Sequence, residues 1–168
     1  MRPEPTGSPT ILDIPSPLGR LALEARAGRL TALRFDGRGS AAGPRSPEPA
    51  AAAVQLEQYF AGRRRAFELP LELPDRPFDR RVLSAVGEIP YGERASYGEL
   101  TATLGLRPED VRTVAAAIAR NPLPLLLPCH RVIGADGRLV GYGGGLERKR
   151  ALLAHEAEVR EGFKATLW

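Results

Sequence analysis

The chain has 168 residues, enough for one domain or two small ones and for a real core without disulfide or metal staples. Hydrophobic residues at 43% and charged residues at 26% exclude wholesale disorder, and one Cys with two His excludes both a disulfide framework and a closed zinc site of Cys and His. The net charge of +4 is evenly spread, with 11 basic and 9 acidic residues before Pro77 and 13 and 11 from there on, so neither part is a basic tail and the pull toward polyanions is weak. Lys occurs only as Lys149 and Lys164, so nearly all the positive charge is Arg, which suits phosphate forks and stacking on bases.

The stretch from Met1 to Gly19 carries Pro3, Pro5, Pro9, Pro15 and Pro17 and no apolar segment, so it does not read as a secretion signal. No apolar run approaches the roughly 18 residues of a membrane span. The expectation is a cytoplasmic protein whose lone Cys stays a free thiol.

The first dozen residues read as frayed. From Ser16 the pattern gives two strands about a turn at Ala27-Gly28, with Leu21, Leu23, Leu33 and Phe35 alternating with polar neighbours. Asp36 to Pro49 reads as a loop, Ala50 to Phe60 as a helix stopped by Gly62, and Phe67 to Leu73 as a strand of period two. Pro74 to Pro77 is the linker. The boundary falls near Asp75, giving an N-terminal domain over 1–76 and a C-terminal domain over 77–168.

The second part is more helical. Phe78, Val82, Leu83 and Val86 share one helical face. Ser96-Tyr97-Gly98-Glu99 is a capping box, so a helix starts there and stops at Gly105. Pro108 suits a first helical position, and Val111, Val114, Ala115 and Ile118 mark the buried face of a second helix. Two short helices about a Gly-containing turn read equally as a helix-turn-helix or as a plain helical hairpin. Leu123 to Leu127 reads as a buried extended segment, Asp136-Gly137 as a hairpin turn, and Leu146 to Val159 as the final helix. The fold class is α/β (α+β): a small N-terminal sheet-and-helix domain followed by a mostly helical domain.

Pro128-Cys129-His130-Arg131 carries the chemistry. A thiol attacks only as thiolate, and an unperturbed Cys is a few per cent ionised at neutral pH. His130 can take the proton, although neighbouring side chains on an extended segment point apart, so a bridging water is one route. Glu156 lies four residues after Leu152 and shares the inward face of the last helix, where a carboxylate needs a partner. His130 and Arg160 are the two alternatives.

The stretch from Ile89 to Glu156 resembles the methylated-DNA–protein-cysteine methyltransferases, the O6-alkylguanine-DNA alkyltransferases. The resemblance rests on Ile89-Pro90-Tyr91-Gly92-Glu93, Ser96-Tyr97-Gly98-Glu99-Leu100, Asn121-Pro122, Pro128-Cys129-His130-Arg131-Val132-Ile133-Gly134, Gly141-Tyr142-Gly143-Gly144-Gly145-Leu146 and Leu152-Leu153-Ala154-His155-Glu156. It implies DNA repair by single-turnover transfer of the alkyl group from O6-alkylguanine to Cys129, and leaves O4-alkylthymine open. Carried over by motif, His130 and Glu156 complete the activating relay and Asn121 supports the site. Tyr97 assists nucleotide rotation, and Arg112 fills the vacated stack.

The implied DNA-contacting set is Tyr97, Arg112, Ala115, Ala119 and Arg120. The implied base pocket is Tyr97, Ile118, Val132, Tyr142 and Gly143. The implied partner is double-stranded DNA carrying alkylated bases, gripped through the minor groove by a monomer, with no cofactor, no metal and no membrane. The alternative is an alkyltransferase-like module that binds lesions without reacting. Cys129 speaks against it. Two departures from the family pattern stand out: Ala115 and Ala116 where Gly is usual, and Leu83 where many members have Trp.

Overall fold

The computed structural model describes residues 7–38, 41–42 and 46–162. The described residues through Glu72 form one compact unit, and those from Leu73 onward form a second.

The first unit is a four-stranded antiparallel sheet in the order β3-β2-β1-β4, covered by one helix. β2 (Leu21–Arg26) and β3 (Arg29–Arg34) meet at the expected turn, where Ala27 and Gly28 both take positive φ, 46° and 78°. β1 (Thr10–Ile14) pairs with β2 in the register Leu12↔Leu23, and β4 is the short Ala41–Ala42. The expectation of a frayed start is therefore wrong from Thr10 onward. Every residue of β1 is half-buried, so it lacks the sharp in–out alternation that marks a strand in sequence. The expected loop from Asp36 to Pro49 lies partly outside the described residues and gives way to helix at Pro47.

Helix α1 (Pro47–Phe60) sets Leu56, Tyr59 and Phe60 against the sheet, and Gly62 takes φ 75° after its end. The expected strand at Phe67–Leu73 is reduced to a single bridge, Leu30 to Leu71. Leu30 N donates to Pro70 O and Glu72 N to Leu30 O, but Pro70 has no N–H to continue a ladder.

The second unit is helical. α2 (Pro77–Gly87) buries Val82, Leu83 and Val86. α3 (Tyr97–Thr103) carries the expected capping box: Ser96 Oγ accepts from Glu99 N at 3.0 Å, and Glu99 Oε2 accepts from Ser96 N at 2.7 Å. Gly105, at φ 69°, turns the chain, and a 3-10 turn at Pro108–Asp110 leads into α4 (Val111–Ala119). Val114, Ala117 and Ile118 of α4 are buried beside Val82, Val86 and Leu100. Ala117 therefore belongs to the core, whereas Val111 and Ala115 of the expected buried face are only half-buried.

Leu123 to Leu127 is buried as expected but not extended, because Leu125 takes φ 75° and Leu127 N donates back to Leu123 O. Asp136-Gly137 does turn the chain, with Gly134 N donating to Arg138 O at 2.8 Å, yet no hairpin follows. Instead β6 (Val132–Ile133) pairs in parallel with β5 (Ala95–Ser96). α5 (Leu146–Arg160) closes the unit. No helix among the described residues is long and apolar enough to cross a membrane.

Candidate active site

Cys129 begins a 3-10 turn, Cys129–Arg131, whose three residues are all buried. Such a turn sends successive side chains about 120° apart rather than to opposite faces. Cys129 consequently lines a cavity of about 780 Å³, while His130 points back into the protein at zero exposure. The helix-turn-helix supplies Tyr97, Arg112, Ala115, Ile118 and Ala119 to the same cavity, and the segment before α5 supplies Tyr142 and Gly143. Thr101, Leu106 and Val140 also line it, and none of the three stood out in sequence. Tyr97 reaches across to donate its hydroxyl to Val140 O at 3.0 Å.

Behind the Cys lies a buried polar cluster centred on Glu156. His130 Nε2 lies 2.8 Å from Glu156 Oε1, and Arg131 donates Nη2 to Oε1 and Nε to Oε2, each at 2.9 Å. Gly92 N donates to Oε2 at 3.2 Å. Of the two partners open in sequence, His130 is the one found; Arg160 instead donates to Gly92 O. Arg131 also donates to Ile89 O at 2.7 Å and lies over the Tyr91 ring.

Burial disfavours the charge on Glu156. The hydrogen bonds and charges of His130 and Arg131 outweigh it and hold the carboxyl well below the usual range. Burial pushes the His130 pKa down, against the pull of Glu156 and with the help of Arg131 and Lys149, so His130 is neutral at neutral pH. A neutral ring with Nε2–H on Glu156 leaves Nδ1 as the acceptor, and Nδ1 is buried without a hydrogen-bond partner among the described residues. The bidentate Arg131 then balances the carboxylate. Burial raises the Cys129 thiol, while a hydrogen bond from Asn121 and the charge of Lys149 pull it back.

Asn121 is fixed from both ends. Its Nδ2 donates to Leu127 O at 3.0 Å, and its Oδ1 accepts from Leu123 N at 2.9 Å. Arg120 is engaged away from the cavity, donating Nε and Nη2 to Asp79 at 2.8 and 2.7 Å. Val132 is buried beside the Cys, and its carbonyl accepts from Lys149 Nζ at 2.6 Å. Sequence reasoning missed Arg131 and Lys149 as parts of this cluster. Both are buried cations, and only the tertiary fold reveals what pairs them.

The family model described as 6-O-methylguanine DNA methyltransferase, DNA binding domain, matches residues 77–158, and that of the ribonuclease-like domain matches residues 13–73. Similar proteins named methylated-DNA–protein-cysteine methyltransferase include one from Mycolicibacterium paratuberculosis, 45% identical over 148 residues, covering 85% of this chain and 89% of that one. Another, from Mycobacterium tuberculosis, is 44% identical with the same coverage. The crystal structure of Mycobacterium tuberculosis OGT in complex with DNA is similar at a TM-score of 0.79 and 43% identity, covering 88% of this chain and 92% of that one. By both domain matches and by these relatives, the chain belongs to the 6-O-methylguanine DNA methyltransferase family.

Proposed function

We propose that this protein repairs DNA by moving the alkyl group of O6-alkylguanine onto Cys129, once per molecule. The observation that carries the reading is the position of Cys129 in the wall of a cavity shared with Tyr97, Arg112, Ala115 and Ala119 of the helix-turn-helix. A base inside a duplex cannot present its O6 substituent to a thiolate, so the nucleotide must be turned out into such a cavity.

In the proposed step the Cys129 sulfur attacks the alkyl carbon. The S–C bond forms, the O6–C bond breaks, and its electron pair leaves on guanine. The thiol proton passes to His130 Nδ1, directly or through water, and then to the departing guanine. Glu156 holds the ring in the tautomer this requires. The thioether is stable, so no turnover follows. Arg112 fills the vacated stack, Tyr97 guides the rotation, and Ala115 and Ala119 let the minor-groove backbone approach closely. Ile118, Tyr142, Gly143 and the backbone of Val132 form the base pocket.

We infer that it works as a monomer and in the cytoplasm, a reducing compartment in which a thiol stays free. We assign the N-terminal domain to 1–76 and the reacting domain to 77–168, a boundary four residues after the break between the two compact units at Glu72 and Leu73.

The test is incubation with a duplex carrying O6-methylguanine, followed by peptide mass analysis. A gain of one methylene on the Cys129 peptide, absent in Cys129→Ser while DNA binding persists, is the expected result. Tight binding with no adduct in the wild type would make the protein a lesion-binding module instead.

A further inference from the structure

The connection between α2 and β5 wraps the buried Glu156 cluster from outside. Ile89 O accepts from Arg131 Nη1 at 2.7 Å, and the Tyr91 ring centre lies 5.6 Å from Arg131 Cζ. Gly92 N donates to Glu156 Oε2 at 3.2 Å. The segment closes as a turn, with Glu93 N donating to Pro90 O at 3.1 Å and Gly92 at φ 76°. Each Glu156 oxygen thus takes two donors: His130 Nε2 and Arg131 Nη2 on Oε1, Arg131 Nε and Gly92 N on Oε2. Of these four, Gly92 N alone lies outside the Cys129–Arg131 turn. It ties the carboxylate to a second part of the fold.

What holds Gly92 in place is Arg160. Arg160 stands in the last turn of α5, four residues after Glu156 and on the same side of the helix, with its side chain exposed. Its Nη1 donates to Gly92 O at 3.1 Å. Its aliphatic stem lies on Gly92 so closely that a Cβ there would sit 2.8 Å from Arg160 Cδ and 3.2 Å from Arg160 Cβ. The positive φ and this close approach each call for glycine. Gly92 therefore bridges two residues one helical turn apart, its N–H on the buried carboxylate and its carbonyl on the exposed guanidinium. A cation at a helix C-terminus suits the helix dipole in any case, but that role asks nothing of Gly92.

We propose, on the reading that Cys129 is the alkyl acceptor, that Arg160 is a positioning residue of the relay: by holding the Gly92 carbonyl it keeps the Gly92 N–H on Glu156, and through Glu156 it fixes the His130 ring. Its guanidinium is out in solvent and touches neither the thiol nor the cavity lining. With Arg160 released, the Pro90–Glu93 turn loosens, water reaches Glu156 Oε2, and the carboxylate gains freedom to rotate away from His130 Nε2.

The test is Arg160→Met, which keeps an aliphatic stem against Gly92 and removes the donor. Arg160→Lys, which can still donate to the carbonyl, is the conservative control. The first readout needs neither DNA nor alkyl transfer. The chain has only two histidines, so nitrogen-15 labelling of histidine resolves the His130 ring, whose buried Nε2–H should exchange slowly with solvent in the wild type. In Arg160→Met that exchange should quicken by about threefold to tenfold, the worth of one hydrogen bond to a charged acceptor partly lost.

The second readout is single-turnover transfer. Arg160→Met should slow it by a similar factor on methylated duplex and on free O6-benzylguanine alike, with DNA affinity unchanged, and Arg160→Lys should recover most of both effects. Wild-type exchange and wild-type transfer in folded Arg160→Met would overturn the proposal and leave Arg160 as a helix-end cation. A loss confined to duplex would overturn it too, by making Arg160 a DNA contact. Failure of the wild type to repair methylated duplex would instead defeat the repair reading, while the exchange of the His130 Nε2–H still reports on Arg160.

Discussion

Asp79, at the start of α2, and Arg120, just past the end of α4, are joined by two parallel hydrogen bonds of 2.7 and 2.8 Å across 41 positions of sequence. The carboxylate is almost fully buried, and the Arg120 bonds hold its pKa below the ordinary value. The pair clamps the helix-turn-helix to the helix beneath it. Asp79→Asn should lower the unfolding temperature at neutral pH, and Arg120→Lys should recover only part of the loss from Arg120→Ala, because an ammonium cannot form the fork. A depressed carboxyl stabilises above its unfolded pKa and loses that contribution as pH falls. The gap between wild type and Asp79→Asn in thermal melts should therefore close in acid; a gap independent of pH would show that the charge is not what matters.

Glu156→Gln should damage both stability and transfer. Gln cannot balance Arg131, whose guanidinium would be left as a buried cation at a cost of about 3 kcal/mol or more. It also loosens the hold on His130, so single-turnover transfer should slow by at least about tenfold. Denaturant melts and quench-flow on methylated duplex read the two effects separately. Transfer at the wild-type rate in folded Glu156→Gln would remove Glu156 from the proton relay.

The acid limb of stability follows from two depressed groups. His130 is buried neutral, so its folded pKa lies below the unfolded value of about 6.5. Glu156 is held ionised well below the usual carboxylate range. For both, the unfolded chain binds protons first as pH falls. Stability should thus be full above about pH 6.5, decline as His130 must charge, and decline again below about pH 4.3 as Glu156 is protonated in the unfolded chain. Denaturant midpoints measured across that range check it. A stability flat from pH 7 to 5 would mean that His130 takes up its proton as readily in the fold as in the unfolded chain.

Arg112→Ala separates base extrusion from sulfur activation. Arg112 is exposed on the rim of the cavity, and a guanidinium that fills the stack supports only the flipped state. Its loss should cost about one to a few kcal/mol on duplex, roughly tenfold or more in rate. Free O6-benzylguanine needs no flipping and should react nearly as before. Equal losses on duplex and free base would assign Arg112 to the pocket or the fold instead.

What was legible in the sequence was local. The Ser96–Glu99 capping box closes within four residues, and the turn at Ala27-Gly28 and the stop at Gly62 depend on backbone conformation at one or two positions. The His130–Glu156 pair was legible because an inward carboxylate on α5 needed a partner and a His stood beside the only thiol. What was lost depended on distant groups. Lys149 and Arg131 look like ordinary surface cations until the fold brings carbonyls and Glu156 to them. The hairpin after Asp136-Gly137 fails because Lys149 and Tyr97 take the Val140 carbonyl. The strand at Phe67–Leu73 fails because period-two hydrophobicity says nothing about a missing N–H at Pro70.

The two-residue parallel ladder between β5 and β6 has a mechanical consequence. Ser96 pairs with Ile133 while also capping α3, so the first residue of the helix-turn-helix and the strand just past Cys129 are stitched side by side. The helix-turn-helix cannot tilt or slide at that end without dragging the sulfur's own backbone with it. On the proposed function, duplex held by α3 and α4 would keep a fixed registration with the thiol, and the nucleotide would make the motion that brings a lesion to the sulfur.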